Sequence, residues 1–145
     1  MSATSVSKLE SFPDRYIAAW NQRDVSTALE VLAPEFTWID PLFPSDMPPR
    51  EAASAFFAGV WQGFPDLQIE ARGGPLVDAA GGRIAQPWRM TGTHTGEGFP
   101  PGIPATGRAF DVNGTGVWQV DAEGRATVLE ATYDTMTLLR QLGLA

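Results

Sequence analysis

The chain lacks cysteine altogether, and its 145 residues include one lysine, Lys8, and one histidine, His94. Without cysteine there is no disulfide framework, no thiol nucleophile and no thiolate metal site. With a single histidine there is no HxH or HExxH spacing, so no metal site is expected. Basic residues are scarce: 10 Lys and Arg face 17 Asp and Glu, for a net charge of -7 and a pI near 4.5. Nucleic acid and anionic membrane both demand a basic surface, so neither is an expected partner. No run approaches the ~20 apolar residues of a membrane span. The opening MSATSVSKLESF lacks the basic start and apolar centre of a signal peptide, and the expected location is the cytoplasm. No GxSxG occurs, and GEGFPPG lacks the Lys-Ser/Thr ending of a phosphate loop. Nothing calls for a nucleotide, flavin or metal cofactor, and the length suits one domain over 1–145.

Aromatic residues, by contrast, are plentiful. Five tryptophans are many for so short a chain, and indoles make good walls for flat apolar ligands. The most informative stretch is WRMTGTHTGEGFPPGIPATGR, from Trp88 to Arg108. Strand alternation puts Trp88, Met90, Gly92 and His94 on one face, which is apolar and carries a single titratable group. The Gly/Pro segment from Gly96 to Gly107 cannot be helical and reads as a rim or lid over that face.

Leu9, Phe12, Tyr16, Ala19 and Trp20 recur at helical spacing, with Pro13 in the first turns. Asp24 caps a second helix that Pro34 stops. Phe36, Trp38 and Asp40 share one face of a short strand closed by Pro41. Pro49 opens a third helix with Ala52, Ala53, Phe56, Phe57, Val60 and Trp61, ending at Gly63. From Leu67 the period changes to two. Four strands follow, running to Val77, from Arg83 to Thr95, from Arg108 to Asp121 and from Arg125 to Met136, in an antiparallel meander. Gly114 and Gly116 suggest a bulge or bend, and LLRQLGLA closes as a short helix. Three helices followed by a long bent sheet can cover its concave face only by lying across it, which leaves a conical cavity.

Several side chains point toward that cavity. Asp40 beside Trp38 and Phe36 is a carboxylate in apolar surroundings, whose pKa rises toward that of a useful base. Glu130, Thr132 and Asp134 share a face by period two, so two carboxylates fall close enough to split into an acid and a base. His94 ionises nearest neutrality and is a candidate proton relay or substrate hydrogen bonder. Tyr16 shares a helical stripe with Phe12 and Trp20. Trp38, Trp88 and Trp118 fall on inward faces and, with Trp20, Met90, Phe57 and Glu130, are the candidate substrate-binding residues.

The run YIAAWNQRDVSTALEVLAPEFTWIDPLFPSDMPPREA is similar to the first half of the ketosteroid isomerases. W-x-x-x-GTHTGE, PATGR and YDTMTLLRQLG resemble the SnoaL-like polyketide cyclases of the same NTF2-like superfamily. The resemblance covers nearly the whole chain. It implies an α+β fold, an NTF2-like cone in which a strongly bent antiparallel sheet wraps around three N-terminal helices and encloses a pocket. It also implies a homodimer built on the outer sheet face. It places Tyr16 at an oxyanion-donating tyrosine, Asp40 at the proton-moving carboxylate, Asp134 at the acid/base aspartate of the cyclases and His94 at the histidine of their GTHTG run. No carboxylate stands near Thr115 and Gly116, where the isomerases keep a second oxyanion donor. Glu130 stands where the cyclases often have tryptophan. The implied activity is cofactor-free proton transfer beside the carbonyl of a hydrophobic polyketide-like substrate, with Asp40 or Asp134 as base. The alternatives are epoxide hydrolysis or hydroxylase-type chemistry in the same pocket, or a non-catalytic module that binds small molecules or dimerises.

Overall fold

The computed structural model describes residues 4–44 and 47–145. Ser5 caps α1 (Val6–Gln22) by accepting the Lys8 N–H, so the helix starts earlier than Pro13, which lies buried inside it. Asp24 caps α2 (Val25–Glu30) through the Ser26 N–H. β1 (Leu32–Ile39) begins before Pro34 rather than after it. Pro49 occupies the first turn of α3 (Pro49–Gly63), where its missing N–H costs no helical bond.

The stretch expected as one strand after Leu67 is two, β2 (Gln68–Ala71) and β3 (Leu76–Asp78). Gly73, at φ +76°, turns the chain between them. Both pair antiparallel with β4 (Arg83–Thr93), which continues antiparallel to β5 (Ala109–Val120) and then β6 (Ala126–Tyr133). β1 joins the far side of β6 in parallel, so the six-stranded sheet is mixed rather than wholly antiparallel. Its order is β1-β6-β5-β4-β2, with β3 also on β4. The sheet is bent and open, and its fold is the ketosteroid isomerase-like, NTF2-like cone. The bulge expected at Gly114 and Gly116 is displaced: pairing is regular there and shifts between Gln119 and Val120. The last strand stops at Tyr133, because Asp134 caps α4 (Thr135–Gln141).

α1 and α3 lie across the concave face. Phe57 is fully buried, stacked on Trp61 at 5.3 Å and edge-on to Trp20 at 4.9 Å. This aromatic knot ties the helices to each other. Among the described residues no helix is long and apolar enough to cross a membrane.

The edge of the sheet is closed by a side chain. Asn21 at the end of α1 donates to the Ile69 carbonyl at 2.9 Å and accepts the Ile69 N–H at 2.8 Å, doing for β2 what a further strand would do. Asn21→Ala leaves both backbone groups without partners, and urea unfolding should show a loss of about 2 kcal/mol.

Candidate functional site

The site begins with the parity of β1. Phe36 and Trp38 point inward, and Asp40 follows on the same face just past the strand end. Pro41 then turns the chain back, so the Leu42 N–H reaches Asp40 Oδ1 at 3.0 Å. A second donor comes from the neighbouring strand: the Tyr133 hydroxyl of β6 donates to the same Oδ1 at 2.7 Å. Oδ2 receives neither of these two bonds.

Burial is the largest influence on this carboxyl and raises its pKa above the usual range; the bonds from Leu42, Tyr133 and the Trp38 indole pull in the opposite direction. Both nearby phenols are pushed up. Tyr133 is raised by burial and then by the negative charge of Asp40. Tyr16 is raised mainly by burial and further by Asp40, against a lowering contact from Trp20. Both therefore stay protonated at neutral pH and serve as donors.

The carboxylate faces a hollow whose empty volume, mouth included, is about 900 Å³. Trp20, Trp38, Trp88, Trp118, Met90 and Tyr16 all border it. Tyr16 lies 5.1 Å from the Trp118 ring and Tyr133 lies 6.0 Å from the Trp88 ring, measured between ring centroids, so each phenol is backed by an indole. Phe99 and Pro100 bring the Gly/Pro loop to the wall, with Phe99 edge-on to Phe56 at 5.6 Å. That loop is tied down where Gly96 donates to the Gly63 carbonyl at 3.1 Å. Leu138, Leu139 and Leu142 of α4 close the remaining side. Among the described residues no lysine, arginine or histidine borders the hollow.

Three expected site residues are placed elsewhere, and one stands a layer back. Asp134 is exposed, and its carboxylate is occupied as the cap of α4, accepting the Thr137 N–H at 3.0 Å and the Thr137 hydroxyl at 2.7 Å. Those bonds hold its pKa below the usual carboxylate range. Glu130 contributes strand backbone to the wall, but its side chain is exposed on the outer face, level with Ile39 and Val117. The inward face of β6 is Leu129, Ala131 and Tyr133, the opposite parity to Glu130, Thr132 and Asp134.

His94 is fully buried but does not border the hollow. Phe64 stacks on its ring at 5.0 Å and presents its own ring to the hollow instead. His94 Nδ1 accepts the Thr106 N–H at 3.2 Å, which places the ring proton on Nε2. Its backbone bonds the returning end of the loop, through Arg108 O at 2.9 Å and the Gly107 N–H at 2.8 Å. It is a clasp for the loop. Phe57 stands one layer behind the wall, as described above.

Tyr133 is the residue that sequence reasoning missed. Its signal lay in Asp134-x-x-Thr137, a helix-capping pattern that removes Asp134 from the strand and makes Tyr133 its last inward position. Among the described residues no three His, Cys, Asp or Glu side chains gather as a metal site would need.

A family profile described as a SnoaL-like domain matches residues 14–129. No curated protein sequence matches the chain. Among solved structures the chain is similar to TsrD from Streptomyces laurentii, at 22% identity and TM-score 0.79, covering 97% of this chain and 98% of that one. It is similar to AclR from Streptomyces galilaeus, provisionally assigned as a hydroxylase, at 21% identity and TM-score 0.78, covering 97% and 88%. It is also similar to IdmH from Streptomyces antibioticus, provisionally assigned as a polyketide cyclase, at 25% identity and TM-score 0.71, covering 92% and 96%.

The raised pKa of Asp40 has a stability consequence with a definite sign. Below the unfolded value of about 3.9 both states are protonated and the site costs nothing. Between that value and the raised folded one, the unfolded chain has released the proton that the half-buried native carboxyl still holds, so stability falls as pH rises across that window. Asp40→Asn removes this term. Urea midpoints for the variant and the parent should coincide near pH 3.5 and separate in the variant's favour by pH 7, whereas a variant less stable at pH 7 would contradict the assignment.

Proposed function

We propose, from the premise that the chain belongs to the SnoaL-like family, that it is a cofactor-independent acid/base enzyme of the cyclase or isomerase kind, acting on a hydrophobic carbonyl substrate. The observation that carries this reading is the asymmetry of Asp40. Its Oδ1 takes both the Leu42 and the Tyr133 bond, its Oδ2 takes neither, and the residue borders an aromatic-walled hollow.

In the proposed cycle Oδ2 takes the proton from the carbon next to the substrate carbonyl. The carboxylate becomes a carboxylic acid, and the electron pair moves to the carbonyl oxygen, where the Tyr16 hydroxyl donates to the enolate. The enolate carbon then attacks a second carbonyl of the same molecule, closing a ring, and the alkoxide so formed takes the proton back from Asp40; alternatively the enolate recovers that proton from Asp40 at another carbon. Either way the proton balance closes. The hollow contains one negative charge at every stage, passed from carboxylate to enolate and back, so no new charge has to be buried as the reaction proceeds. Tyr133 keeps its bond to Oδ1 throughout and fixes the direction of Oδ2.

The cyclase name carried by IdmH supports this chemistry. The hydroxylase name carried by AclR favours a second reading, in which Asp40 activates a water for attack on an electrophile such as an epoxide. The two are separable, since only the second transfers solvent oxygen into product.

The test uses 2-tetralone, a bicyclic ketone with acidic α-hydrogens, followed by proton NMR in D₂O. Asp40→Asn should slow enzyme-dependent deuterium uptake by roughly 10²–10⁴-fold, and Tyr16→Phe by about 10²-fold. Asp134→Asn should leave the rate unchanged. The rate should fall on acidification through a pKa above the ordinary aspartate range, because protonation removes the base. Deuterium uptake that survives Asp40→Asn, or labelled oxygen in the product of an isolated natural substrate, would displace this reading.

A further inference from the structure

Gly114 and Gly116 lie on β5 at regular, paired positions with no positive φ, so backbone conformation does not demand glycine at either. Space does. A Cβ built on Gly116 would fall 2.4 Å from Cζ2 of the Trp118 indole, which folds back over it. A Cβ on Gly114 would fall 2.4 Å from Cη2 of Trp88 and 2.8 Å from the Thr132 carbonyl oxygen. Gly114 pairs with Trp88 on one side and Tyr133 on the other, and those two rings meet above it. Both indoles are thus sunk into the sheet by about the depth of a methyl group, which a side chain at either glycine would fill.

These are the same two indoles that back the phenols flanking Asp40. Trp118 supports Tyr16, and Trp88 supports Tyr133. Trp118 has little other freedom: it is 2% exposed and also meets Phe12, with ring centroids 5.5 Å apart. An indole lifted off Gly116 has one open direction, into the hollow.

We propose that Gly114 and Gly116 are specificity-determining residues, whose missing side chains recess Trp88 and Trp118 and so set how wide a flat, uncharged ring system the hollow admits. The proposal rests on the hollow being the ligand site, as in the reading above, but not on proton transfer, so it is tested by binding. Gly116 is the position to change, because its close neighbour is an indole edge, whereas Gly114 also presses on backbone.

Two neutral ketones serve as probes, bicyclic 1-indanone and tricyclic planar 9-fluorenone, followed by quenching of tryptophan fluorescence. Gly116→Ala should weaken 9-fluorenone by about tenfold or more, as expected for one methyl's worth of overpacking, and leave 1-indanone within about threefold. Adding Trp118→Phe to Gly116→Ala returns the lost space and should restore 9-fluorenone to within about threefold of the parent. If Gly116→Ala alone does not fold, recovery of both folding and 9-fluorenone binding in the double variant supports the same steric account. Unchanged 9-fluorenone binding in Gly116→Ala, equal losses for the two ketones, or a double variant that neither folds nor recovers binding would overturn it. Neither ketone binding the parent chain would overturn it as well, while leaving the deuterium-exchange test of the proton-transfer reading to stand or fall separately.

Discussion

The structure turns on one hydrogen bond, from the Tyr133 hydroxyl to Asp40 Oδ1. A carboxylate set among indoles and leucines is costly to ionise and, left to rotate, would seek water. Tyr133 and the Leu42 N–H both hold Oδ1, and neither holds the second oxygen. The bond spans two strands that are remote in sequence, yet β1 and β6 lie side by side in parallel, with Ile39 opposite Glu130. The parallel pairing at the end of an otherwise antiparallel sheet is thus what brings the carboxylate and its phenol together.

Everything around that bond keeps the site apolar without plugging it. Trp20, Trp38, Trp88 and Trp118 line the wall, while Phe57 and Trp61 form the layer behind and hold α1 and α3 in place. The Gly/Pro loop supplies Phe99 to the rim and is clasped at its far end by His94. Among the described residues no cationic side chain borders the hollow, and the N–H and O–H groups of its bordering side chains belong to tryptophans and tyrosines.

Much of this was legible in the sequence where alternation was unambiguous. In β4 the apolar positions Ile84, Trp88 and Met90 admit one parity only, and the face they define is the inward one. In β6 the adjacent apolar pair Val128 and Leu129 admits either parity. The carboxylates favoured the wrong one, sending Tyr133 outward on paper and Asp134 inward. Helix capping would have decided between them, since Asp134 and Thr137 have the spacing of an N-cap and its partner. His94 failed for a different reason. Its face was read correctly, but a fully buried histidine can be screened from a cavity by one ring, here Phe64, and no one-dimensional pattern records that layer. The parallel pairing of β1 with β6 was likewise out of reach, because it joins the two ends of the chain.

The central claim is that Asp40 is a half-buried, ionisable base steered by Tyr133. The most direct measurement is a ¹³C NMR titration of the Asp40 side-chain carboxyl in the parent chain and in Tyr133→Phe. The account predicts a pKa above the free-aspartate value of about 3.9 in the parent, and a further rise in the variant, which loses a donor to the charged form. A parent value at or below that of free aspartate, or one indifferent to loss of the phenol, would contradict it.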